Sequence, residues 1–234
     1  MALGSAFDSP ESKRRHVATL FATIADRYDL ITRVLSYGQD RRWKARLARE
    51  ARVSSSDAAL DLACGTGDIA ALLGSRGARL VIGLDLTPRM LQLARRKGGV
   101  VRYVAGDMGA LPVPTASVDL VTTGYGLRNV PDLDVALGEI ARVLRPGGRF
   151  LSLDFSRPDA AIVRGAYLGY LTVVGGALGW LLHGDPDTYR YIPASIRRYP
   201  GPRGVADRLR AHGFTEVRIV PLLFGLMSLH VARR

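Results

Sequence analysis

The stretch ALDLACGTGDIA, residues 59–70, decides the fold. A hydrophobic strand runs directly into Gly65-Thr66-Gly67 and then opens a helix. Glycines let the backbone turn tightly and approach a ligand closely, and a helix start presents free amides. The next apolar run, LVIGLD, ends at Asp85, whose carboxylate can accept both hydroxyls of a ribose. This order predicts a nucleoside-binding site without saying which nucleoside.

Two acids help to choose between nucleosides. Gly65, Gly67 and Ala70 also satisfy the G-x-G-x-x-A dinucleotide fingerprint, so NAD is an alternative. Asp61 places a carboxylate where a methionine ammonium can be held, a group that NAD lacks, and this favours S-adenosylmethionine (SAM). The segment Gly106-Asp107-Met108 follows the third strand and offers an acceptor for an adenine amino group. The alternatives are purely structural roles, with Asp61 as a helix-capping acid and Asp107 as a turn residue.

Outward from the glycine turn, strands and helices alternate, which is typical of a parallel sheet with crossover helices. Apolar runs predict buried strands at residues 58–63, 79–84, 101–105, 118–123 and 149–155. One helix is predicted after a Thr87 N-cap, with Pro88 in its first position. A second begins near Pro131 and ends at Pro146-Gly147-Gly148; its predicted buried face is Val135, Ile140 and Val143.

The two ends of the chain flank this core. Residues 1–52 predict a helical lead-in with one shared face formed by Phe21, Ile24, Tyr28 and Ile31. Near the other end, a helix (203–212) precedes two β-rich runs (214–220 and 226–232), which predict an antiparallel hairpin of the kind known from SAM methyltransferases. We expect one domain over residues 1–234. Its parts are a lead-in (1–52), a SAM-binding core (53–157), a lid or substrate insertion (158–200) and a closing helix with hairpin (201–234).

Composition excludes several classes of protein. The chain has 234 residues, 47% of them hydrophobic, which suits one folded domain rather than a disordered chain. One cysteine and four scattered histidines predict neither a disulfide nor a metal site. The polar N-terminal segment lacks the apolar core of a signal peptide, so we expect a cytoplasmic protein.

The net charge of +12 has three interpretations. Arginines on solvated faces, a surface lying against anionic lipid heads, and a nucleic-acid partner all fit. Nucleic acid is disfavoured because no compact basic run is interleaved with aromatic residues. Residues 165–183 contain no Asp, Glu, Lys or Arg, but five glycines weaken the segment as a membrane span. A pocket lid or interfacial segment is favoured there over a core helix or a span.

The chain resembles the ubiquinone/menaquinone biosynthesis C-methyltransferases, which are class I SAM-dependent enzymes. The resemblance runs from about residue 17 to 232. It is carried by FATIADRYDLITRVLSYGQDRRWK (21–44), GYGLRNVPDLD (124–134), LRPGGRFLSLDFSRP (144–158), DTYRYIPASIRRYP (187–200) and MSLHVARR (227–234). It implies an α/β, Rossmann-like fold with a mostly parallel seven-stranded sheet and a C-terminal antiparallel hairpin.

The resemblance also implies cofactor contacts. Thr66 would contact SAM in the glycine loop, with Gly65 and Gly67 shaping the turn, and Asp85 would hold the ribose. The remaining contacts fall after the third and fourth strands, at Asp107, Met108 and Gly124. Relatives often carry serine where this chain has Gly124, so a hydroxyl contact is lost there. Cys64 stands where many relatives carry glycine.

The implied reaction methylates a ring carbon of a prenylated hydroquinone, with conversion of demethylmenaquinol to menaquinol as the favoured case. An electron-rich, reduced ring is needed, with no metal. Arg128 and Asn129 follow the fourth strand at the edge where parallel sheets bind ligands. We expect Arg128 to stabilise a phenolate and Asn129 to hold a ring oxygen. The alternatives are an ion pair for Arg128 and a helix cap for Asn129.

Asp154 is the next catalytic candidate, as a base or as the residue that orients Arg128. Tyr28, Tyr189, Arg190 and His230 are candidates for the substrate pocket, although a core histidine is the slightly favoured interpretation of His230. The long prenyl tail of the substrate, the apolar segment 165–183 and the basic excess together suggest reversible contact with an anionic membrane surface, peripheral on its inner face.

Alternative functions are another small aromatic or lipid-like methyl acceptor and a SAM- or quinone-binding module without turnover. Nucleic-acid methylation is disfavoured because no base-stacking motif is present. The sequence does not separate naphthoquinol from benzoquinol, and it leaves a homo-oligomer open.

Overall fold

A seven-stranded sheet carries the fold of the computed structural model, which describes residues 3–158 and 160–234. The strand order is β3-β2-β1-β4-β5-β7-β6, with β1 to β5 parallel and β7 antiparallel to both of its neighbours. The strands are β1 (Ala58–Leu62), β2 (Leu80–Asp85), β3 (Arg102–Ala105), β4 (Val118–Gly124), β5 (Leu144–Phe155), β6 (Thr215–Leu222) and β7 (Met227–Arg233). The predicted fold class, including the closing hairpin, is confirmed.

Helices cover both faces of the sheet, as the crossover connections of a parallel sheet require. They are α1 (Pro10–Ile24), α2 (Tyr28–Leu35), α3 (Asp40–Glu50), α4 (Asp68–Ser75), α5 (Pro88–Arg96), α6 (Leu133–Val143), α7 (Ala161–His183), α8 (Asp187–Arg198) and α9 (Gly201–Ala211). One apolar layer joins α2, α3, α4 and α7 to the sheet, and the other joins α6 and α9 to the opposite face. The lead-in is thus three helices, with α1 and α2 separated by a 3₁₀ turn, Ala25–Arg27.

Three local predictions are corrected. Helix α6 begins at Leu133, because the Asp132 side chain accepts hydrogen bonds from the amides of Asp134 and Val135 and caps it there. Val135 consequently points outward and is half exposed. Strand β5 begins at Leu144, which pairs with Val118 before residues 145–148 bulge out of the ladder.

The third correction concerns the start of α5. Thr87 is the N-cap residue, but its hydroxyl makes no capping hydrogen bond to the helix. Instead, the Thr87 amide donates to the carboxylate of Asp85 at 2.8 Å. The turn after β2 is therefore held by the acid that was predicted to bind ribose.

The glycines of α7 have a packing role. A Cβ on Gly175 would lie 3.3 Å from Tyr189, and one on Gly179 would lie 2.5 Å from the Asp185 carbonyl oxygen, so these glycines let α8 and the turn before it approach closely. Within the residues that the structure describes, α7 alone is long and apolar enough to cross a membrane by those two criteria, which a core helix also meets.

Candidate active site

Two adjoining cavities lie at the carboxyl ends of the parallel strands, where open α/β sheets bind ligands. The strand-end cavity is formed by the turns that follow β1, β2 and β4 and is covered by the lead-in. The apolar cavity lies between the lead-in and α8. Four residues line both cavities: Phe21, Tyr28, Tyr125 and Asn129.

The glycine turn shapes the strand-end cavity. Gly65 and Gly67 have φ angles of 53° and 83°, in the left-handed region that favours glycine. A Cβ on Gly67 would overlap the Tyr103 hydroxyl, while Gly65 faces the ring of Tyr28. Any side chain at Gly67 would therefore displace the turn from its place beside α5 and β3.

Asp85 presents a preorganised carboxylate to this cavity. Its two oxygens accept hydrogen bonds from the Gly65 and Thr87 amides, each at 2.8 Å. Burial raises the pKa of Asp85, and these amide hydrogen bonds oppose that rise. Because a carboxylate oxygen has further lone pairs, the group can still accept ligand hydroxyls from the cavity side.

Asp61 and Thr66 face away from the strand-end cavity. The Asp61 carboxylate accepts from the Ala70 amide at 3.1 Å and the Thr122 hydroxyl at 2.7 Å, joining α4 to β4. Burial raises the pKa of Asp61 to about 7. The Thr66 hydroxyl donates to Asp29 at 2.7 Å and accepts from Lys97 at 2.9 Å. The structure thus gives both side chains partners within the chain and does not bring Asp61 to the cavity wall.

Of the residues predicted to contact SAM after β3 and β4, only Gly124 lines the strand-end cavity. Asp107 accepts from the Gly109 amide at 2.8 Å and forms an ion pair with Arg14 at 2.9 Å. Met108 is buried beside Gly126, a cavity residue. A Cβ on Gly124 would lie 2.6 Å from the Ile69 Cδ1 atom. Packing by Ile69 is therefore the physical reason why a side chain at position 124 is disfavoured here.

The apolar cavity has hydrophobic walls and few polar groups. The predicted shared face of the lead-in lies here, since its four residues all line this cavity. The remaining walls are Leu20, Thr32, Leu35, Ser36, Tyr125, Arg128, Asn129, Phe155, Thr188, Tyr189, Tyr191 and Ile192. Arg128 contributes the one formal charge among these residues. Such a cavity suits a mostly apolar ligand with one or two polar atoms.

Arg128 is held rigidly at the wall of this cavity. Its Nε lies 3.3 Å from Asp154 Oδ1, its backbone amide donates to the other carboxylate oxygen at 3.1 Å, and Nη1 donates to the Ser195 hydroxyl. Both members of the ion pair are buried, Arg128 at 4% exposure and Asp154 at 1%. The Nη2 group donates to no residue that the structure describes, and it is the donor left over for a ligand.

Asp154 is placed to orient Arg128 and not to touch a substrate. Its carboxylate also accepts from the Phe155 amide at 2.8 Å, and it does not line the apolar cavity. Burial raises the pKa of Asp154, and the Arg128 guanidinium opposes the rise. Of the two roles predicted for this acid, the geometry favours the orienting one.

Asn129 leaves one polar atom unsatisfied at the junction of the cavities. Its Nδ2 donates to the Tyr125 carbonyl at 2.8 Å, which fixes the orientation of the amide. Its buried Oδ1 has no hydrogen-bond partner among the described residues. Since Asp132 caps α6, Asn129 does not serve as a helix cap. An unpaired buried acceptor favours a ligand that donates a hydrogen bond.

The predicted pocket residues divide into two groups. Tyr28 and Tyr189 line the apolar cavity. Arg190 does not: one helical step from Tyr189 turns it to the surface, where it pairs with Asp187. His230 is a buried sheet residue whose Nε2 lies 2.9 Å from the Pro202 carbonyl, on the face covered by α9. The structure places neither Arg190 nor His230 on the wall of the apolar cavity, and His230 lies in the core, as the favoured interpretation of that residue expects.

Tyr125 is a wall residue that the sequence analysis missed. It has a φ of 62°, a strained conformation for a non-glycine residue, and such strain is common at functional sites. Its hydroxyl donates to Asp40 at 2.6 Å, and Asp40 pairs with Lys44 at 2.7 Å. Its position inside GYGLRN was the available signal, but the distant partner Asp40 gave none.

The fold and the strand-end cavity together define a class I SAM-dependent methyltransferase, an enzyme whose methyl donor is SAM. A solved SAM-dependent methyltransferase from Thermotoga maritima superposes with a TM-score of 0.69, covering 93% of this chain and 99% of that one at 18% identity. At that identity the likeness concerns the fold alone.

Sequence comparison then gives the family. The chain belongs to the ubiE/COQ5 methyltransferase family, whose model matches residues 9–234. It is 42% identical to a demethylmenaquinone methyltransferase from Thermus thermophilus, over 92% of this chain and all of that protein. It is also 40% identical to a ubiquinone/menaquinone biosynthesis C-methyltransferase from Rubrivivax gelatinosus, over 97% of this chain and 90% of that protein.

Proposed function

We propose that the protein methylates a ring carbon of a prenylated hydroquinone, with demethylmenaquinol as the substrate and menaquinol as the product. The observation that carries this proposal is the apolar cavity, which adjoins the strand-end cavity, has Asn129 where the two meet and has Arg128 in its own wall. The names of the relatives support it, because the Thermus protein is named for the naphthoquinone substrate. The Rubrivivax name includes ubiquinone biosynthesis, so a benzoquinol is the second substrate to test.

The strand-end cavity suits SAM. Asp85 would accept the ribose hydroxyls, Gly65 and Gly67 would let the backbone approach, and Gly124 would offer only backbone. Asp107 and Met108 would border the adenine, and Thr66 would reach the cofactor only if its hydroxyl left Asp29. Asp61 supports this site from behind by holding α4 to β4. When bound, SAM supplies an electrophilic methyl group to the junction of the cavities.

Arg128 and Asn129, both in the wall of the apolar cavity, suit a reduced ring in a particular protonation state. The guanidinium of Arg128 donates hydrogen bonds and stabilises a phenolate oxygen, which makes the ring carbon beside it nucleophilic. The Oδ1 of Asn129 only accepts, so it selects a ring oxygen that still carries its proton. Together they favour a singly ionised hydroquinone. An oxidised quinone has no proton to donate to Asn129 and no electron-rich ring carbon.

Several groups would hold the ring in place while the methyl carbon leaves the sulfonium sulfur, which releases S-adenosylhomocysteine, and bonds to the ring carbon. The ring proton would then pass to solvent water. Tyr28 and Tyr125 wall both cavities and set the lateral position of the ring. Orientation of two reactants at attack distance can supply roughly 7–11 kcal/mol of the barrier reduction. Asp154 acts through Arg128 by fixing the direction of the guanidinium.

The direct test is methyl transfer from SAM to demethylmenaquinol, with and without a strong reductant, with products read by mass spectrometry. We expect a product one methyl group heavier that forms only under reduction. A parallel reaction with a prenylated benzoquinol ranks the two ring systems. SAM binding without product from either quinol would leave the fold and the cofactor in place and refute the proposed acceptor.

We also propose that the protein is cytoplasmic and contacts the inner face of the membrane reversibly through α7 and α2. Ile162, Val173 and Trp180 are 66–88% exposed, and separations of 11 and 7 residues put them on one face of α7. Leu30 and Val34 are exposed on α2. A bilayer explains an exposed apolar stripe beside a cavity for an apolar acceptor, and the net charge of +12 favours anionic lipid.

Flotation with anionic liposomes tests this contact. We expect binding that weakens with salt and is lost in Ile162→Ser/Trp180→Ser. Val100→Ser is the matched control, because Val100 is 79% exposed but lies just before β3, outside the α2 and α7 surfaces. Equal flotation of all three proteins would count against α7 as the contact surface.

A further inference from the structure

The lead-in covers the strand-end cavity. Val17 and Phe21 of α1 line that cavity, and Tyr28 of α2 adds the wall beside Gly65. Arg14 lies one helical turn before Val17 on α1 and so projects from the same side of that helix. A ligand in the cavity would therefore lie beneath α1, and its exchange with solvent would require α1 to move aside.

Ion pairs join the lead-in to the elements around the cavity at three places. At the β3 end Arg14 pairs with Asp107 at 2.9 Å. At α5, Asp26 and Arg89 pair at 2.6 Å. Beside the glycine turn, Asp29 contacts Lys97 at 2.8 Å and also accepts from Thr66.

The lead-in is therefore bonded to a residue proposed to border the adenine, because Arg14 pairs with Asp107. The second bond, from the Thr66 hydroxyl to Asp29, lies beside the glycine turn and faces away from the strand-end cavity. Each ion pair is partly exposed, and an exposed pair shifts a local equilibrium by at most about five-fold. Such pairs stabilise the closed position of the lead-in only weakly. Weak stabilisation suits a segment that must move aside once in each turnover.

We infer that the lead-in is a latch that retains the cofactor, and that Arg14, through its ion pair with Asp107, is the positioning residue that closes it at the adenine end. The inference rests on the cofactor site and not on the identity of the methyl acceptor. It holds whichever quinol, or other acceptor, the enzyme methylates.

The test measures cofactor release directly. The full-length protein is loaded with tritiated SAM in the absence of acceptor and chased with excess unlabelled S-adenosylhomocysteine, and the dissociation rate is followed by rapid filtration. We expect Arg14→Ala to raise the dissociation rate about five-fold and Arg14→Lys to restore most of it. Arg15→Ala is the matched control: Arg15 is exposed on the same helix and pairs with no acid that the structure describes. It should release SAM at the wild-type rate.

A charge exchange tests the latch independently at a second position. Asp26→Arg and Arg89→Asp should each speed release, and the double variant should restore the wild-type rate. All of these positions are at the surface, and circular dichroism checks that the variants are folded. An Arg14→Ala dissociation rate equal to that of Arg15→Ala, together with no restoration in the charge exchange, would overturn the inference while leaving the proposed methylation untouched.

Discussion

The buried pair formed by Arg128 and Asp154 serves both stability and turnover, and the two roles can be separated. Arg128→Met keeps most of the side-chain volume but leaves Asp154 buried at 1% exposure without its cation. Breaking a buried ion pair on one side typically costs about 3–5 kcal/mol of the free energy of unfolding. Two amide hydrogen bonds to Asp154 persist, from residues 128 and 155, so we expect the lower end of that range.

The loss of unfolding free energy in Arg128→Met should depend on pH in a defined direction. Burial already raises the pKa of Asp154, and removal of the guanidinium raises it further. A carboxyl whose pKa is higher in the folded than in the unfolded protein does not lower the free energy of unfolding below its unfolded-state pKa, near 3.9. The free energy of unfolding then falls as the pH rises from that pKa through the folded-state pKa. The deficit of Arg128→Met should therefore be small near pH 4 and largest at neutral pH. In Arg128→Met/Asp154→Asn no buried charge remains, and the deficit should largely disappear.

Turnover should respond differently from stability. Removal of a preorganised hydrogen-bond donor to a negatively charged oxygen typically lowers the turnover rate by about 10²–10³-fold. We expect that loss in both the single and the double variant, because neither restores the guanidinium. SAM affinity should remain near wild type, since Arg128 does not line the strand-end cavity. Urea unfolding between pH 4 and 8, calorimetric SAM binding and the quinol assay measure the three quantities. Recovery of turnover in the double variant, or a large loss of SAM affinity in either, would refute these roles.

Three further predictions concern single groups. The pKa of Asp61, raised to about 7, should make the wild type lose stability on the order of 4 kcal/mol between pH 4 and pH 7, and thermal melts of Asp61→Asn should show that dependence flattened. Gly124→Ser should cost about 1–3 kcal/mol through its contact with the Ile69 Cδ1 atom, and Ile69→Val, which removes that atom, should recover most of the loss in a melt. Asn129→Leu should raise the KM for the quinol by up to about ten-fold, as expected for one lost hydrogen bond, in steady-state kinetics.

Much of the fold could be predicted because its determinants are local in sequence. Period-two and period-3.6 patterns, the glycine turn and the final pair of β-rich runs each depend on neighbouring residues. The contact of Arg128 with Asp154 could also be predicted, because the ends of neighbouring parallel strands β4 and β5 meet at one edge of the sheet. The early start of β5 was missed because Pro146 and the two glycines mark a turn, whereas the chain passes through them as a bulge.

The rest of the site depends on contacts between distant segments. Ser195 reaches Arg128 across 67 residues and Asp40 reaches Tyr125 across 85, and no local pattern specifies such partners. Arg190 and His230 do not line the apolar cavity because of the direction in which each side chain points from its helix or strand. Arg190 follows Tyr189 on a helix, so the two point about 100° apart, and His230 faces opposite to Leu229 and Val231 because side chains alternate across a strand. A motif brings such neighbours together in sequence without specifying which of them line a given cavity.

The shared walls of the two cavities link release of the cofactor to binding of the acceptor. Phe21 and Tyr28 belong to the lead-in and line both cavities, so a movement of the lead-in that frees the cofactor also opens the apolar cavity. An apolar acceptor packed against these rings favours the closed lead-in, and coupling of this kind is reciprocal. We therefore expect a saturating, unreactive oxidised menaquinone with a short tail to slow the dissociation of tritiated S-adenosylhomocysteine, and Phe21→Ala to abolish the slowing. If the quinone left the rate unchanged in the wild type, despite bound quinone shown by equilibrium dialysis, the two cavities would open independently and the lead-in would not be their common cover.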